Sequence, residues 1–454
     1  CYLYLMPDYE IDHVKRIVFN EITKDALRKA VNNPQNINMK LVNSQQARQM
    51  LDVIIGYKIS PLLWKYAYHS KDNTLSAGRC QTPALRLIYD NFIAVNGEKI
   101  EKIFKTVGNF IDIDFSLNKD FSSSEQVEAF MEKSRGFHHK MTISPSKKSE
   151  RSQPKPYNTA KLLQEVTHLM NLSPKGVMDL CQILYQDGHI TYMRTDSKKY
   201  SVDFLEKAKQ YVISHYGEKF VGNLIDLENT NSKDPHEAIR VTNIENMKIE
   251  KDAKLNRLYQ IIWTNTIEST MSPAIYDLVQ CKINAPDDCY YSQTIETPIF
   301  NGWKAVKQTI KTDVDIQSKN KGLLLCLTNV ATKNSNLTPK YITSEETMNK
   351  KVTHYTESGL VKKLEELEIG RPSTYAMFLE TLLQRGYIKK EDVDEIKYNA
   401  LCFTLKDNTK IIKCEKPKKI AKEHNKLLIQ PLGVLIIEFL MKYFDEFFSY
   451  NYTK

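Results

Sequence analysis

A tyrosine and an arginine stand two residues apart in the segment 189–197, which reads His-Ile-Thr-Tyr-Met-Arg-Thr-Asp-Ser. A phenolate oxygen is a competent nucleophile toward a phosphodiester, and a guanidinium can hold two phosphate oxygens at once. Tyr192 and Arg194 therefore indicate phosphoryl-transfer chemistry. The chain has 25 tyrosines, so this triplet taken alone is more typical of a packed tyrosine beside a surface arginine.

A second polar group lies in the segment 235–242 and contains His236, Glu237 and Arg240. A histidine can donate a hydrogen bond to a phosphate oxygen or transfer a proton. Taken in isolation, a histidine satisfied inside the core is the simpler interpretation. The segment supports the phosphoryl-transfer hypothesis only if the fold brings it next to Tyr192.

Two helices are predicted to flank the tyrosine. Ser173 followed by Pro174 is typical of a helix start, apolar residues continue at helical spacing to Leu184, and Gly188 is well placed to end the helix. The next helix is predicted to begin near Ser201. Tyr192 is thus expected on a short connection that can present its side chain at a surface.

The remaining patterns divide the chain into helical and β-rich blocks. Alternating or β-branched runs predict strands in residues 105–143 and 274–330, which could form one domain interrupted in sequence. A polar, proline-containing linker is predicted at 144–156. Eight lysines between Lys406 and Lys426 predict an exposed loop, either simply solvated or facing DNA.

Composition limits the class of protein. The chain has 454 residues, of which 41% are hydrophobic and 26% charged. These values are typical of globular proteins that fold without disulfide bonds or structural metals. It shows no apolar run of membrane-spanning length and no secretion signal, so a soluble, cytoplasmic protein is expected. A net charge of +9 favours a polyanionic partner, though only weakly. The eight scattered cysteines predict reduced, mostly buried thiols and no zinc site.

Six elements in order along the chain resemble type IA DNA topoisomerases. Tyr-Met-Arg-Thr-Asp-Ser resembles that family's active-site signature, and His-Glu-Ala-Ile-Arg-Val-Thr is similar to its His-Glu-Ala-Ile-Arg-Pro-Thr element. The six elements lie at residues 18–23, 75–86, 192–197, 236–242, 271–277 and 360–387. The chain is identified as a member of this family, and residues 360–376 favour the bacterial-type relaxing enzyme over the decatenating branch.

The resemblance implies a fold with both α and β structure in several domains. It is a toroid in which a helical base, a β-rich arch and a helical domain carrying the tyrosine enclose a hole large enough for duplex DNA. The expected divisions are 1–37 for the remnant of a Toprim domain, 38–104 and 356–454 for the base, 105–155 and 271–355 for the arch, and 156–270 for the tyrosine-bearing domain.

The resemblance also assigns roles to residues. Tyr192 becomes linked to the 5′ phosphate of a cut strand, Arg194 stabilises the transition state, and His236 lies near the scissile phosphate. The residues expected to line the single-strand groove are Arg79, Gln81, Arg371, Ser373, Thr374 and Arg385. The expected partners are single-stranded and negatively supercoiled DNA, and no association with a membrane is expected. The enzyme is expected to act as a monomer and to need no ATP.

The chain departs from the family at both ends, since it is expected to lack most of the N-terminal Toprim domain and the C-terminal zinc ribbons that often follow the helical base. Family members begin with a Toprim domain that holds Mg²⁺ on acidic residues, and only the stretch 5–12 resembles its last motif, with Met6 in place of the first aspartate. Asp8 and Glu10 match two of the acids, and two carboxylates alone make a poor octahedral site. A truncated or degenerate single-strand-binding remnant without catalysis is therefore the alternative, and the chain Cys1–Lys454 alone is expected to bind single strands but cleave them poorly.

Overall fold

The structure is a computed structural model, and it describes residues 14–67, 75–229, 236–307, 310–333, 336–406 and 410–453. Asp8 and Glu10 lie outside these residues. Among the described helices, none has the length and apolar character that crossing a bilayer requires.

Several helices begin where the sequence supplies capping side chains. Asn158 accepts a hydrogen bond from the amide of Lys161 at 2.8 Å, and Ser173 accepts one from Gly176 at 3.1 Å, which satisfies amides that have no partner inside the helix. The α-helices are α1 Lys24–Asn32, α2 Met39–Leu62, α3 Gln81–Gly97, α4 Ser124–Ser134, α5 Thr159–Met170, α6 Pro174–Gln186, α7 Val202–Tyr216, α8 Ala253–Thr270, α9 Ile310–Thr332, α10 Glu357–Glu366, α11 Tyr375–Gln384, α12 Pro431–Phe444 and α13 Tyr450–Thr453.

The described strands pair antiparallel, and five of them lie in the two stretches predicted to form strands, 105–143 and 274–330. The prediction is wrong for residues 310–330, which belong to helix α9. The strands are β1 Lys15–Arg16, β2 Gln35–Asn36, β3 Glu101–Phe110, β4 Ile113–Leu117, β5 Met141–Ile143, β6 Lys147–Arg151, β7 Ala274–Asn284, β8 Tyr290–Phe300, β9 Tyr341–Asn349, β10 Ile388–Val393, β11 Ile396–Lys406, β12 Lys410–Ile420 and β13 Glu423–Ile429. The fold therefore contains both α and β structure, as predicted.

Nine strands form one sheet in the order β12-β11-β9-β3-β4-β8-β7-β5, with β6 also paired to β7. The sheet joins segments far apart in sequence, since β3 pairs with β9 from Glu101 opposite Asn349 to Asn109 opposite Tyr341. The two predicted stretches of strand thus belong to one sheet.

The sheet also corrects two local predictions. The lysine-rich stretch predicted as a loop contains β12, which pairs residue by residue with β11, so β11 and β12 extend the sheet although residues 356–454 were assigned to the helical base. The predicted linker 144–156 contains β6, paired with β7 from Lys147 opposite Leu278 to Arg151 opposite Ala274. In both cases backbone pairing with a distant strand overrides the polar composition.

Two hydrophobic cores organise the molecule. One lies under the sheet and combines side chains such as Phe110, Phe115, Tyr291 and Phe403 with helix α4. The other is shared by α3, α5 to α8 and α10 to α12. The helices that flank Tyr192 therefore pack in one core with the helices of the predicted base.

Candidate active site

Tyr192 lies on the connection between α6 and α7, as predicted. Its side chain is half-buried, and its ring meets the ring of Tyr185 edge-on with centroids 5.2 Å apart. Its backbone amide donates a hydrogen bond of 2.7 Å to the carbonyl oxygen of Asn20. The nucleophile candidate is therefore partly accessible while its backbone is held in place.

A clamp centred on Thr159 surrounds the backbone of Arg194. The Thr159 hydroxyl donates to the carbonyl oxygen of Met193 at 2.7 Å and accepts from the amide of Thr195 at 2.9 Å. Met193 and Thr159 are fully buried, whereas the side chain of Arg194 is exposed. The arginine thus extends toward solvent from a backbone that is fixed on both sides.

The segment that carries His236 packs against the tyrosine connection. The amide of Thr191 donates to the carbonyl oxygen of Arg240 at 2.9 Å, and the Thr191 hydroxyl donates to that of Ala238 at 2.8 Å. Ile190 and Val241 form an antiparallel bridge beside them. The structure therefore brings together the two polar segments that the sequence singled out.

A buried ion cluster holds this junction. Arg240 contacts Glu237 twice, with Nε 3.2 Å from Oε1 and Nη2 2.8 Å from Oε2. Its Nη1 atom lies 3.1 Å from Oε2 of Glu21, and its guanidinium stacks 4.1 Å from the ring centroid of Phe204. Glu237 also accepts a hydrogen bond from the Ser201 amide. Arg240 thus joins the segments 18–23 and 236–242 and the start of α7.

Asp196 connects the tyrosine segment with two predicted site residues. Asp196 is exposed as a residue, yet partial desolvation of its carboxyl raises its pKa, while the electrostatic interactions with Arg371 and His236 act against that rise. Arg371 and His236 therefore lie close enough to Asp196 to interact with its charge. His236 itself is exposed, and its carbonyl oxygen accepts a hydrogen bond from the Asn229 amide group at 3.3 Å.

Arg371, Ser373 and Thr374 lie at the start of α11. Arg371 and Ser373 are exposed, and the Thr374 hydroxyl accepts a hydrogen bond from the Arg371 amide at 2.9 Å. Gly370 precedes them with φ of +84°, and a Cβ atom there would lie 2.8 Å from the Phe378 ring. The turn thus requires glycine and presents a guanidinium and a hydroxyl beside the amides of a helix start.

Arg79, Gln81 and Arg385 lie at the opposite end of α11. The Tyr387 hydroxyl bonds both the amide and the carbonyl of Ser76, at 2.9 and 3.2 Å, which brings the start of α3 to the end of α11. Arg79 forms an ion pair of 2.8 Å with Asp52, and Gln81 donates to the Ser76 hydroxyl at 2.9 Å. Because α11 has ten residues, the helix that separates Arg385 from Arg371 is about 15 Å long.

The described residues do not offer a preformed magnesium site. No cluster of three His, Cys, Asp or Glu side chains able to hold a metal is found in the described ranges. A cleft of about 700 Å³ lies beside the tyrosine connection, and its lining includes Glu21 and Glu237, which both contact Arg240. These two carboxylates do not provide the six oxygen ligands that Mg²⁺ requires.

Sequence reasoning missed the residues that hold the site together. Thr159 carries no local signal, because its role is visible only once α5 is packed against the tyrosine connection. Glu21 and Arg240 lie in segments that resemble family elements, yet no local pattern indicates that they pair across more than two hundred residues. The only indication that Glu21 and Arg240 lie together was that both of their segments resemble elements of the same family.

The comparisons with known proteins agree with this geometry. A family model described as DNA topoisomerase matches residues 36–416. A protein of Acanthamoeba polyphaga mimivirus named DNA topoisomerase 1 type prokaryotic is 33% identical over 97% of this chain and 56% of its own length. The structure of full-length topoisomerase I from Thermotoga maritima superposes with a TM-score of 0.73 at 28% identity, covering 98% of this chain and 68% of that one.

The fold and the comparisons place the chain in the class of type I topoisomerases of the bacterial type, with the fold of the type IA enzymes. The chain belongs to the DNA topoisomerase family. It spans about half the length of the mimivirus protein that it matches.

Proposed function

We propose that this chain cuts one DNA strand through Tyr192, allows another strand to pass and then reseals the cut. The phenolic oxygen of Tyr192 attacks a backbone phosphorus, a Tyr–O–P bond forms, and the P–O3′ bond breaks. The phenolic proton is lost and the leaving 3′ oxygen gains one. Resealing is the reverse reaction, so the energy of the ester bond is kept and no ATP is needed.

The observation that carries this proposal is the way Tyr192 is presented. Its ring is half-buried at the edge of the helical core, and its backbone is anchored to a segment 172 residues away at 2.7 Å. A nucleophile held in one geometry reacts faster than a mobile one, because the entropy of positioning has already been lost.

The neighbouring cations suit the charge that develops in the reaction. Arg194 is exposed and lies two residues from the nucleophile. Asp196 lies on the same connection, and its carboxyl interacts electrostatically with Arg371 and His236. We assign Arg194 to the non-bridging oxygens of the reacting phosphate and His236 to a hydrogen bond with it. Positive groups placed where charge builds up stabilise the transition state.

Single-stranded DNA is the proposed ligand of the α11 surface. Arg371, Ser373 and Thr374 lie at one end and Arg79, Gln81 and Arg385 at the other. Contacts of these types bind the backbone of any sequence, and affinity should fall steeply with salt.

Strand passage would require the tyrosine-bearing helices, residues 156–270, to lift from the base while the chain acts as a monomer. In the family Mg²⁺ supports the reaction, and we propose it as the cofactor. The described carboxylates do not form its site, so the steps assigned to this chain involve its own side chains only.

The experiment is a relaxation assay on negatively supercoiled plasmid with Mg²⁺ and without ATP. Residues 5–12 alone lead to an expectation of poor cleavage, whereas membership of the DNA topoisomerase family supports activity, so the unaltered protein should relax the plasmid. Tyr192→Phe should not relax it. Tyr216→Phe, which changes a half-buried tyrosine at the end of α7, should behave like the unaltered protein. Single-strand binding without relaxation by the unaltered protein would contradict the proposal and favour the non-catalytic remnant.

A further inference from the structure

We propose that Thr159 is the positioning residue for Arg194, and that its hydroxyl sets the rate of strand cleavage without touching DNA. The inference rests on the proposed function, because it assigns a role within the same reaction. Thr159 is the first residue of α5 and is separated by more than thirty residues from the arginine that it holds.

The clamp consists of polar contacts on both sides of Arg194. The Thr159 hydroxyl donates to Met193 O at 2.7 Å, with Thr195 O 3.1 Å away, and accepts from Thr195 N at 2.9 Å. The Thr159 amide donates to Thr195 O at 3.0 Å. That amide is one of those that a helix start leaves without an internal partner, so the clamp also completes the start of α5.

Burial makes the hydroxyl hard to replace. Thr159 and Met193 are fully buried and Thr195 is 2% exposed, so water does not reach these groups from the surface. If the hydroxyl were lost, the amide of Thr195 and the carbonyl of Met193 would lose their partner in an apolar setting. The backbone around Arg194 would then shift to satisfy them.

A small shift at this position matters because the Arg194 side chain makes no hydrogen bond or ion pair with any residue that the structure describes. Its side chain is exposed, so the fixed backbone determines where the guanidinium can reach. A displacement of about 1 Å at a reacting group can slow a reaction about a hundredfold. The hydroxyl of Thr159 therefore acts on the reaction through Arg194, which makes it a positioning residue and not a catalytic one.

Helix α5 offers a matched control. Thr167 lies on the same helix, is 9% exposed, and its hydroxyl donates to Leu163 O at 2.7 Å within the helix. Thr167→Val and Thr159→Val thus each remove a mostly buried hydroxyl from α5, but only the second change touches the tyrosine connection. Thr159→Ser keeps the hydroxyl and removes only the methyl group.

The experiment measures the rate at which the purified protein forms a covalent adduct with a single-stranded oligonucleotide in buffer containing Mg²⁺. Thr159→Val should slow the reaction by about 10- to 100-fold, whereas Thr159→Ser and Thr167→Val should stay within about threefold of the unaltered protein. Non-covalent binding of the oligonucleotide should be unchanged. In an Arg194→Ala background, Thr159→Val should cause no further slowing, because its effect passes through the arginine.

The possible results separate two failures. No adduct with the unaltered protein would overturn the proposed function and this inference together. An adduct that forms at the normal rate in Thr159→Val would overturn the inference alone, as would equal slowing in Thr167→Val or full further slowing in the Arg194→Ala background.

Discussion

The backbone amide of Tyr192 donates a 2.7 Å hydrogen bond to the carbonyl oxygen of Asn20. This contact makes the segment 18–23 part of the active site, although that segment carries none of the side chains assigned to the reaction. The same segment supplies Glu21 to the Arg240 ion cluster. The reactive tyrosine is therefore positioned by a stretch of chain that lies far from it in sequence.

Replacement of Gly188 tests how closely the segment 18–23 must approach the connection that carries Tyr192. The φ of Gly188 is +76°, and a Cβ atom there would lie 2.6 Å from the carbonyl oxygen of Ile22. The left-handed backbone conformation alone costs a non-glycine residue about 1 to 2 kcal/mol, and Gly188→Ala should lower the free energy of unfolding by more than that. It should also slow adduct formation, since Asn20 must move with Ile22.

Gly136→Ala is the control for backbone strain. Gly136 has φ of +68° and no atom within 4 Å of the added Cβ, so only the conformational cost applies. Urea unfolding of both variants measures the comparison. Equal losses of unfolding free energy would show that the contact between Gly188 and Ile22 is not close.

Arg240 should be among the most costly residues to replace in the tyrosine-bearing block. Its side chain is 6% exposed, as is that of Glu237, and Arg240→Met would leave a buried carboxylate without its cation. A loss of about 3 to 5 kcal/mol in unfolding free energy is expected, and it should be smaller when Glu237→Gln is added. Denaturant titration measures it.

Arg257→Met serves as the reference for Arg240. Arg257 is on α8 and its side chain makes an exposed hydrogen bond of 2.8 Å to Leu169 O. Its replacement should cost less than about 1 kcal/mol. A similar cost for the two arginines would contradict the buried ion cluster.

Glu365 links the tyrosine-bearing helices to the predicted base. On α10, it accepts from Asn158 Nδ2 at 2.8 Å and Gln164 Nε2 at 3.3 Å, and Lys198 Nζ lies 3.4 Å away. Glu365→Ala removes the acceptor for all three donors and should loosen the contact between α5 and α10. Hydrogen exchange in the two helices should become faster, because local opening costs less free energy.

Glu366 is the matched residue on the same helix. It pairs only with Lys362 and Lys363 among the described residues, so Glu366→Ala leaves the contact with α5 intact. In Glu366→Ala, the amides of α5 should exchange hydrogen at the same rates as in the unaltered protein. If both variants exchanged at the same rate, Glu365 would not join the two blocks.

Asp196 predicts a pH dependence of stability. Partial desolvation holds the pKa of its carboxyl above the usual 3.8, so the charged form is less favourable in the folded state. Stability then falls as pH rises from the unfolded pKa through the folded pKa, and the loss remains at neutral pH. Asp196→Asn should raise the melting temperature at pH 7, and the difference should shrink on acidification.

Asp203 should behave in the opposite way. The hydrogen bond and charge of Lys29 lower the pKa of the Asp203 carboxyl, so its contribution is present above the unfolded pKa and is lost at acid pH. Asp203→Asn should lower the melting temperature at pH 7 by a small amount. Melting curves of both variants and of the unaltered protein are compared between pH 4 and pH 7. If Asp196→Asn and Asp203→Asn changed the melting temperature in the same direction, these assignments would be contradicted.

The sequence predicts the surroundings of Tyr192 well where the signals are local. Ser173 and Pro174 start α6 as expected, and Ser201 precedes α7, because capping depends on residues within one turn. The thiols also follow the prediction, since Cys80, Cys181, Cys281, Cys289 and Cys402 are buried and free.

The errors arise where distant segments pair. The lysines of β12 suggest a loop, yet a strand with both faces largely exposed tolerates charge, and its structure comes from backbone hydrogen bonds to β11. Pro417 fits there because, among the described residues, β12 pairs on one side only. The ion pair of Arg79 with Asp52 and the clamp of Thr159 depend on tertiary contacts in the same way.

The most direct test of the central claim is to identify the bond between protein and DNA. A cleavage reaction with an oligonucleotide is digested with protease, and the cross-linked peptide is sequenced by mass spectrometry. The account predicts a single modified residue, Tyr192, joined to the 5′ phosphate of the downstream fragment. A modification on another side chain, or a link to a 3′ phosphate, would contradict it.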